Sequence, residues 1–249
     1  MFYIAFPITL SSCITSLTSV ADTALITNRL IDGGMSSDAA VTLYSSYTNL
    51  AIPLFNLPPA LITPIAISLV PSLTASVTRG NTASSERFFS SAVRLCNILA
   101  IPASAGLAAF SKPILLLIYP GEREACSFAA PLLTVLSVAI VFSCLITVLN
   151  AVLQAYMKPV LPIISMAAGA VIKIISEYFL VGSDLGVMGA PISTIACTFT
   201  IFLVDLVFVI LYTPHRIEFK PIVKSLISSF ISVTASALSY HLMLQPKSN

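Results

Sequence analysis

Long stretches without a charged side chain constrain this sequence more than any other feature. Residues 39–78 contain no Asp, Glu, Lys or Arg. About 20 mostly apolar residues are enough for a helix to cross a membrane. Charged residues make up 9% of the chain, whereas soluble domains carry about 25%. Because an open strand cannot satisfy its backbone in lipid, the sequence predicts an all-α integral membrane protein.

Seven segments are long and apolar enough to cross the membrane. We therefore expect residues 1–249 to form a single membrane domain of about seven transmembrane helices. The predicted spans are residues 4–27, 44–78, 93–118, 128–157, 160–181, 186–212 and 222–244.

The loops between these spans alternate in charge. The loops after spans two, four and six carry seven Lys or Arg and two acids, whereas the other loops carry three bases and five acids. Because positively charged loops stay in the cytoplasm, this alternation predicts a cytoplasmic N-terminus. The chain begins inside its first span without the basic region of a signal peptide, which suggests a fragment of a longer protein.

The second span combines unusual length with five prolines. As a single helix, residues 39–78 would be about 60 Å long, twice the hydrocarbon thickness. One interpretation is that residues 39–78 cross the membrane twice. One long crossing broken by prolines fits the loop charges better. Each interior proline removes a helix hydrogen bond and costs about 3 kcal/mol or more. The five prolines are Pro53, Pro58, Pro59, Pro64 and Pro71.

Irregular backbone inside a membrane is tolerated where protein buries it or a water-filled cavity solvates it. Transporters use discontinuous helices of this kind to line the substrate path and to bend between states. We therefore take Asn56, Pro58, Pro59 and Pro64 as candidates for a cavity-lining hinge. The alternative is a static kink that only shapes the bundle.

Ionisable residues within the spans are expensive unless they face protein or water. Lys173 and Glu177 are spaced i, i+4 on the fifth span, so they can pair on one face. Asp22 joins them if span one packs beside span five. This group would carry a net charge of −1 and could take up a proton or a small cation. Alternatively, it is a neutralised ion pair that fixes helix packing.

The remaining polar side chains within the spans have simpler interpretations. We expect Asp205 to hydrogen-bond to a neighbouring helix or to interfacial water, and Asn150 and Gln154 to join helices. The sequence has no motif for a nucleophile–base pair or a metal cluster. It therefore predicts no enzyme activity, no catalytic residue, no metal site and no cofactor beyond a coupling proton or sodium ion.

Several motifs resemble one family in order. FNLPPALITPIAISLVPSLTAS resembles the eighth span of the stage V sporulation protein B-like group, and PITLSSCITSLTSVADTALITNRL resembles its seventh span. ITVLNAVLQAYMKPVLPIISMAAGAVIKIISEYFLV and GVMGAPISTIACT resemble spans ten to twelve. These polysaccharide-biosynthesis proteins are relatives of the lipid II flippases in the multidrug/oligosaccharidyl-lipid/polysaccharide exporter superfamily.

The resemblance implies half of a two-lobe flippase-type bundle, with the N-terminal lobe missing. It implies alternating-access translocation of a lipid-linked oligosaccharide or peptidoglycan precursor, in cell-envelope or spore-cortex synthesis at a bacterial cytoplasmic membrane. The expected partners are the lipid-linked saccharide, membrane lipids and the missing lobe, with no nucleic acid. A cation-coupled multidrug exporter and a non-transporting scaffold for envelope assembly are the alternatives.

The resemblance also suggests residues for ion coupling. In the lipid II flippase branch, a sodium site uses an aspartate of span seven and polar residues of spans eleven and twelve. Asp22 and Glu177 stand at matching places, and Thr194 and Thr198 are further candidates. Lys173 departs from that pattern because it supplies a fixed cation nearby. A proton, or no coupling ion, is then expected in place of sodium.

Overall fold

The computed structural model describes residues 2–183 and 185–213, with side chains given from residue 13 onward except residue 15. All regular elements in this part of the chain are helical, in agreement with the predicted fold class. The seventh predicted span, residues 222–244, lies outside the described residues. The seven α-helices described are α1 Phe2–Asp32, α2 Ser37–Ser46, α3 Ile52–Thr78, α4 Thr82–Ile118, α5 Arg123–Ala155, α6 Leu161–Val181 and α7 Gly189–Tyr212.

Five helical stretches in the described residues are long and apolar enough to cross a membrane. They overlap predicted spans two to six, and α1 overlaps the first. The third span begins earlier than predicted. The helix α4 starts at Thr82, whereas the predicted span starts at residue 93. The five stretches are Ser37–Thr78, Thr82–Ile118, Arg123–Ala155, Leu161–Val181 and Gly186–Tyr212.

The second stretch is continuous from α2 through α3. Its irregular part is a π-helical turn at Tyr47–Ala51, where the backbone N–H of Ile52 donates to the carbonyl of Tyr47. A π turn holds one extra residue, which gives room to the ring of Pro53 directly after it. The other four prolines lie inside α3 without ending it. They remove hydrogen bonds, but their fixed φ remains compatible with a helix.

The helix α5 is the centre of the described bundle. It contacts α3, α4 and α7 extensively. A helix that is apolar on all sides is expected to be buried, and α5 fits this rule. The α6–α7 hairpin packs against it mainly through α7, and α1 packs on the outer side of α6. This order places α1, α6 and α7 side by side. The fully buried side chains of α5 include Leu133, Leu136, Ile140, Val148 and Leu153.

Two glycines let α6 and α7 approach closely. A Cβ at Gly189 would lie 2.7 Å from the carbonyl carbon of Leu180, and a Cβ at Gly169 would lie 2.3 Å from the Ile201 side chain. Small residues at a helix interface allow such close contact between membrane helices. The contact at Gly189 involves backbone atoms, so a side chain there forces the two helices apart.

This packing predicts that Gly189→Ala lowers the melting temperature of the full chain in detergent. Overpacking of this kind costs about 1–3 kcal/mol. Gly106→Ala is the matched control, because a Cβ at Gly106 in α4 meets no atom within 4 Å. The control is expected to keep or raise the melting temperature, since Ala favours a helix over Gly. Equal melting temperatures for the two variants would contradict the close α6–α7 contact.

Candidate functional site

The structure brings together three ionisable residues from two predicted spans, Asp22 on the first and Lys173 and Glu177 on the fifth. The Lys173 ammonium on α6 contacts the carboxylate of Asp22 on α1 and lies 3.9 Å from Oε1 of Glu177. The meeting depends on the packing of α1 against α6. Glu177 is 1% exposed, and the other two side chains are 14–15% exposed. We call Asp22, Lys173 and Glu177 the charged cluster.

Two carboxylate oxygens of the charged cluster have no hydrogen-bond partner among the described residues: Oδ1 of Asp22 and Oε2 of Glu177. Oε1 of Glu177 lies 3.2 Å from the hydroxyl of Ser193 on α7. Buried polar atoms are usually paired. With all three groups ionised, the cluster has one excess negative charge. These open oxygens therefore suit a proton or a small cation.

A cavity of ≈250 Å³ opens between α1, α6 and α7 beside the charged cluster. Its lining combines polar side chains with apolar side chains from the same three helices. Asp22 and Lys173 reach this cavity, while Glu177 lies behind them against α7. The polar lining residues are Thr18, Ser19, Asp22, Lys173 and Thr194.

The two threonine candidates on α7 differ in position. Thr194 lines the cavity, and its hydroxyl lies 3.4 Å from the phenol oxygen of Tyr47. Thr198 donates to the carbonyl of Thr194 within its own helix at 2.9 Å, and it does not line the cavity. The structure therefore places Thr194 beside the charged cluster. Thr198 lies on the same helix, α7, outside the cavity lining.

Sequence reasoning missed three polar residues around the charged cluster. Ser193 reaches Glu177 from α7, Tyr47 reaches Thr194 from the π turn, and the phenol oxygen of Tyr44 lies 3.0 Å from the hydroxyl of Thr23. Both tyrosines stand in the uncharged second span, where a buried phenol needs a hydrogen-bond partner. The sequence therefore indicates that these tyrosines have hydrogen-bond partners, but it does not indicate which residues the partners are.

The hinge candidates lie elsewhere in the molecule. Asn56 and Pro64 are exposed, Pro59 is half-buried and Pro58 is buried. None of the four lines the cavity beside the charged cluster. The exposed positions face outward from the described helices.

The other polar residues within the spans are also separate from the charged cluster. Asp205 on α7 is fully buried and contacts the hydroxyl of Ser165 on α6, a hydrogen bond to a neighbouring helix. Asn150 is half-buried, with Oδ1 unpaired among the described residues, and Gln154 is exposed. In the part of the chain that the structure describes, no group of three or more His, Cys, Asp or Glu side chains could hold a metal ion.

Comparison with known proteins gives consistent matches. The chain is 32% identical over 168 residues to the uncharacterized membrane protein YabM of Bacillus subtilis, and 30% identical over 181 residues to the lipid II flippase MurJ of the same organism. These matches cover 67% and 70% of this chain but 30% and 32% of the relatives. The chain thus spans about a third of the length of these curated relatives.

A solved structure shares the fold. It is a MOP superfamily transporter from Pyrococcus furiosus, with a TM-score of 0.69 and 14% sequence identity, and the match covers 95% of this chain and 52% of that transporter. At this identity the likeness concerns the fold alone. The profile of the lipid II flippase MurJ family matches residues 3–248. This match covers nearly the whole sequence, and the chain therefore belongs to the lipid II flippase MurJ family.

Proposed function

We propose that this chain is the C-terminal lobe of a flippase that moves a lipid-linked oligosaccharide or peptidoglycan precursor across a bacterial cytoplasmic membrane. The observation that carries the proposal is the charged cluster beside a cavity, with Lys173 and Glu177 on a helix long and apolar enough to span the membrane. Ionisable groups at membrane depth mark ion and substrate pathways. Family membership supports a lipid-linked substrate.

The proposed mechanism is alternating access. The α6–α7 hairpin is held by close glycine contacts, and α1 is joined to it through the Asp22–Lys173 contact. The exposed face of α3 borders a central chamber shared with an N-terminal lobe, and its prolines provide the bend. The partners are the lipid-linked saccharide, membrane lipids and that lobe. The loop charges favour a cytoplasmic N-terminus.

We further propose a proton as the coupling ion. The Lys173 ammonium already neutralises one of the two carboxylates, in the position where a free cation would sit between them. Glu177 remains as the group that gains and loses charge. A protonated Glu177 makes the cluster neutral, whereas an ionised Glu177 gives it a charge of −1. No metal cofactor is part of this proposal.

The first test removes the charge of Asp22. Asp22→Asn is expected to reduce translocation at least tenfold, because Lys173 then turns to Glu177 and removes the group that binds the proton. The measurement is flipping of a fluorescent lipid-linked oligosaccharide by the full-length protein in proteoliposomes. Asp38→Asn is the matched control, since Asp38 is exposed at the start of α2 and lies outside the cluster.

An unchanged rate in Asp22→Asn would contradict a coupling role for the cluster. If the full-length protein moves no lipid-linked sugar, and a variant neutralised at all three cluster residues still rescues a deletion strain, the chain is a scaffold for envelope assembly. If it moves drugs with proton or sodium uptake, it is an exporter of the same superfamily.

The second test removes the fixed cation. Lys173→Met leaves Asp22 and Glu177 facing each other with two negative charges, so we expect flipping to become dependent on added sodium. Lys173→Arg keeps the charge and is expected to flip without sodium, as the unmodified protein does. Flipping rates are measured in sodium-free and sodium-containing buffers of equal ionic strength. Sodium dependence in the unmodified protein would refute the role given to Lys173.

The third test concerns the chamber beside α3. Asn56 and Leu61 are both exposed, but they lie roughly 140° apart around the helix. We expect Asn56→Cys to react several-fold faster than Leu61→Cys with a membrane-impermeant maleimide, because Asn56 faces water and Leu61 faces lipid. Both variants are made in a background without the five native cysteines. Equally slow labelling at both positions, with and without substrate, would contradict a water-filled chamber at α3.

A further inference from the structure

The α6–α7 hairpin contains two contacts between a carboxyl group and a serine hydroxyl. Near its closed end, Glu177 of α6 meets Ser193 of α7, and near its open end, Asp205 of α7 meets Ser165 of α6. On each helix the serine precedes the carboxyl by twelve residues (165 to 177 and 193 to 205). The two pairs are therefore about 18 Å apart along the helix axis. The coupling mechanism proposed above does not use the pair at the open end.

The hydrogen bonds of Ser165 allow the carboxyl of Asp205 to be the donor in their contact. Its hydroxyl is 3.0 Å from the carbonyl oxygen of Pro162 and also contacts Oδ1 of Asp205. A serine hydroxyl has one proton to donate and lone pairs to accept with. If that proton goes to the carbonyl of Pro162, the contact with Asp205 is satisfied only when the carboxyl itself donates. A protonated Asp205 completes this chain of hydrogen bonds.

An ionised Asp205 would have far poorer surroundings. Its side chain is fully buried, and Oδ2 has no hydrogen-bond partner among the described residues. No cationic side chain in the described ranges lies within 4.0 Å of it. A buried charge without a partner is strongly unfavourable, and a carboxyl in this position takes up a proton instead.

The neighbouring titratable groups do not change the preference of Asp205 for the protonated form. Glu177 and Lys173 are about 18 and 12 Å along the axis of α6 from the level of Ser165. Lys158 lies over the ring of Tyr212 at 5.4 Å. On α7 itself, the titratable side chains besides Asp205 are Cys197, eight residues before it, and Tyr212, seven residues after it.

We propose that Asp205 and Ser165 form a proton-binding site of their own, separate from the charged cluster, at the open end of the α6–α7 hairpin. The bound proton forms an O–H bond on the carboxyl, and this O–H group donates to the oxygen of Ser165. The site holds the two helices together while it is occupied. Loss of the proton leaves an unpaired charge between α6 and α7 and weakens their contact at that end.

Infrared spectroscopy of the full chain in lipid nanodiscs tests the site. Protonated carboxyl groups give a carbonyl stretching band that ionised carboxylates lack. We expect a difference spectrum between the unmodified chain and Asp205→Asn at neutral pH to show the loss of such a band. Asp38→Asn is the matched control and is expected to retain the band, because Asp38 is exposed at the start of α2.

A second variant keeps the proposal testable if Asp205→Asn fails to fold. Ser165→Ala removes the hydrogen-bond acceptor of the protonated carboxyl, so the Asp205 band should move to higher frequency. If Asp205→Asn loses no protonated-carboxyl band, or if Ser165→Ala leaves every such band in place, the site does not exist as proposed. Neither measurement requires transport, so the result is independent of the flippase proposal.

Discussion

The contact between the Lys173 ammonium and the Asp22 carboxylate is the interaction on which the arrangement of α1 depends. Each charge left facing lipid at the centre of a helix costs about 2.5–3.5 kcal/mol, and lipid offers no competing hydrophobic force to hold apolar helices together. The side of α6 that carries Lys173 is therefore stabilised when a neighbouring helix covers it and supplies an anion. The helix α1 does so, and the cavity between α1, α6 and α7 follows from that choice.

The α6–α7 hairpin combines close helix packing with the two proton-binding groups proposed above, Glu177 and Asp205. Glycines allow close backbone contact at Gly169 and Gly189, while buried carboxyl–serine pairs stand near both ends. In a tightly packed interface, a change of charge at either end has to be answered by a small movement of one helix against the other. A hairpin of this construction can therefore pass the protonation state of its side chains to the helices that pack on it.

Much of this organisation follows from local rules in the sequence. The i, i+4 spacing of Lys173 and Glu177 predicts their pairing on one helix, and apolar length gives the helices. The partners on other helices cannot be predicted from such local rules. Ser193, which contacts Glu177, and Tyr47, which contacts Thr194, are ordinary in their local sequence. They acquire a role only through the packing of α7 on α6 and the π turn before Pro53. The long stretch with five prolines illustrates the same limit. The prolines predict an irregular backbone, but they do not predict that the irregular turn lies at Tyr47–Ala51, before all five of them.

The fixed ammonium in the charged cluster changes what a coupling ion has to do. A free cation that binds between two carboxylates must lose its water shell each time it enters, and it must leave again in every cycle. If a proton is the coupling ion, as proposed above, Lys173 stays in place, so the attraction between α1 and α6 persists through the cycle and only the charge of Glu177 varies. The strength of that attraction then depends on one proton. Under this proposal, proton uptake adjusts how firmly α1 is held to the hairpin, and an ion does not have to assemble the contact anew.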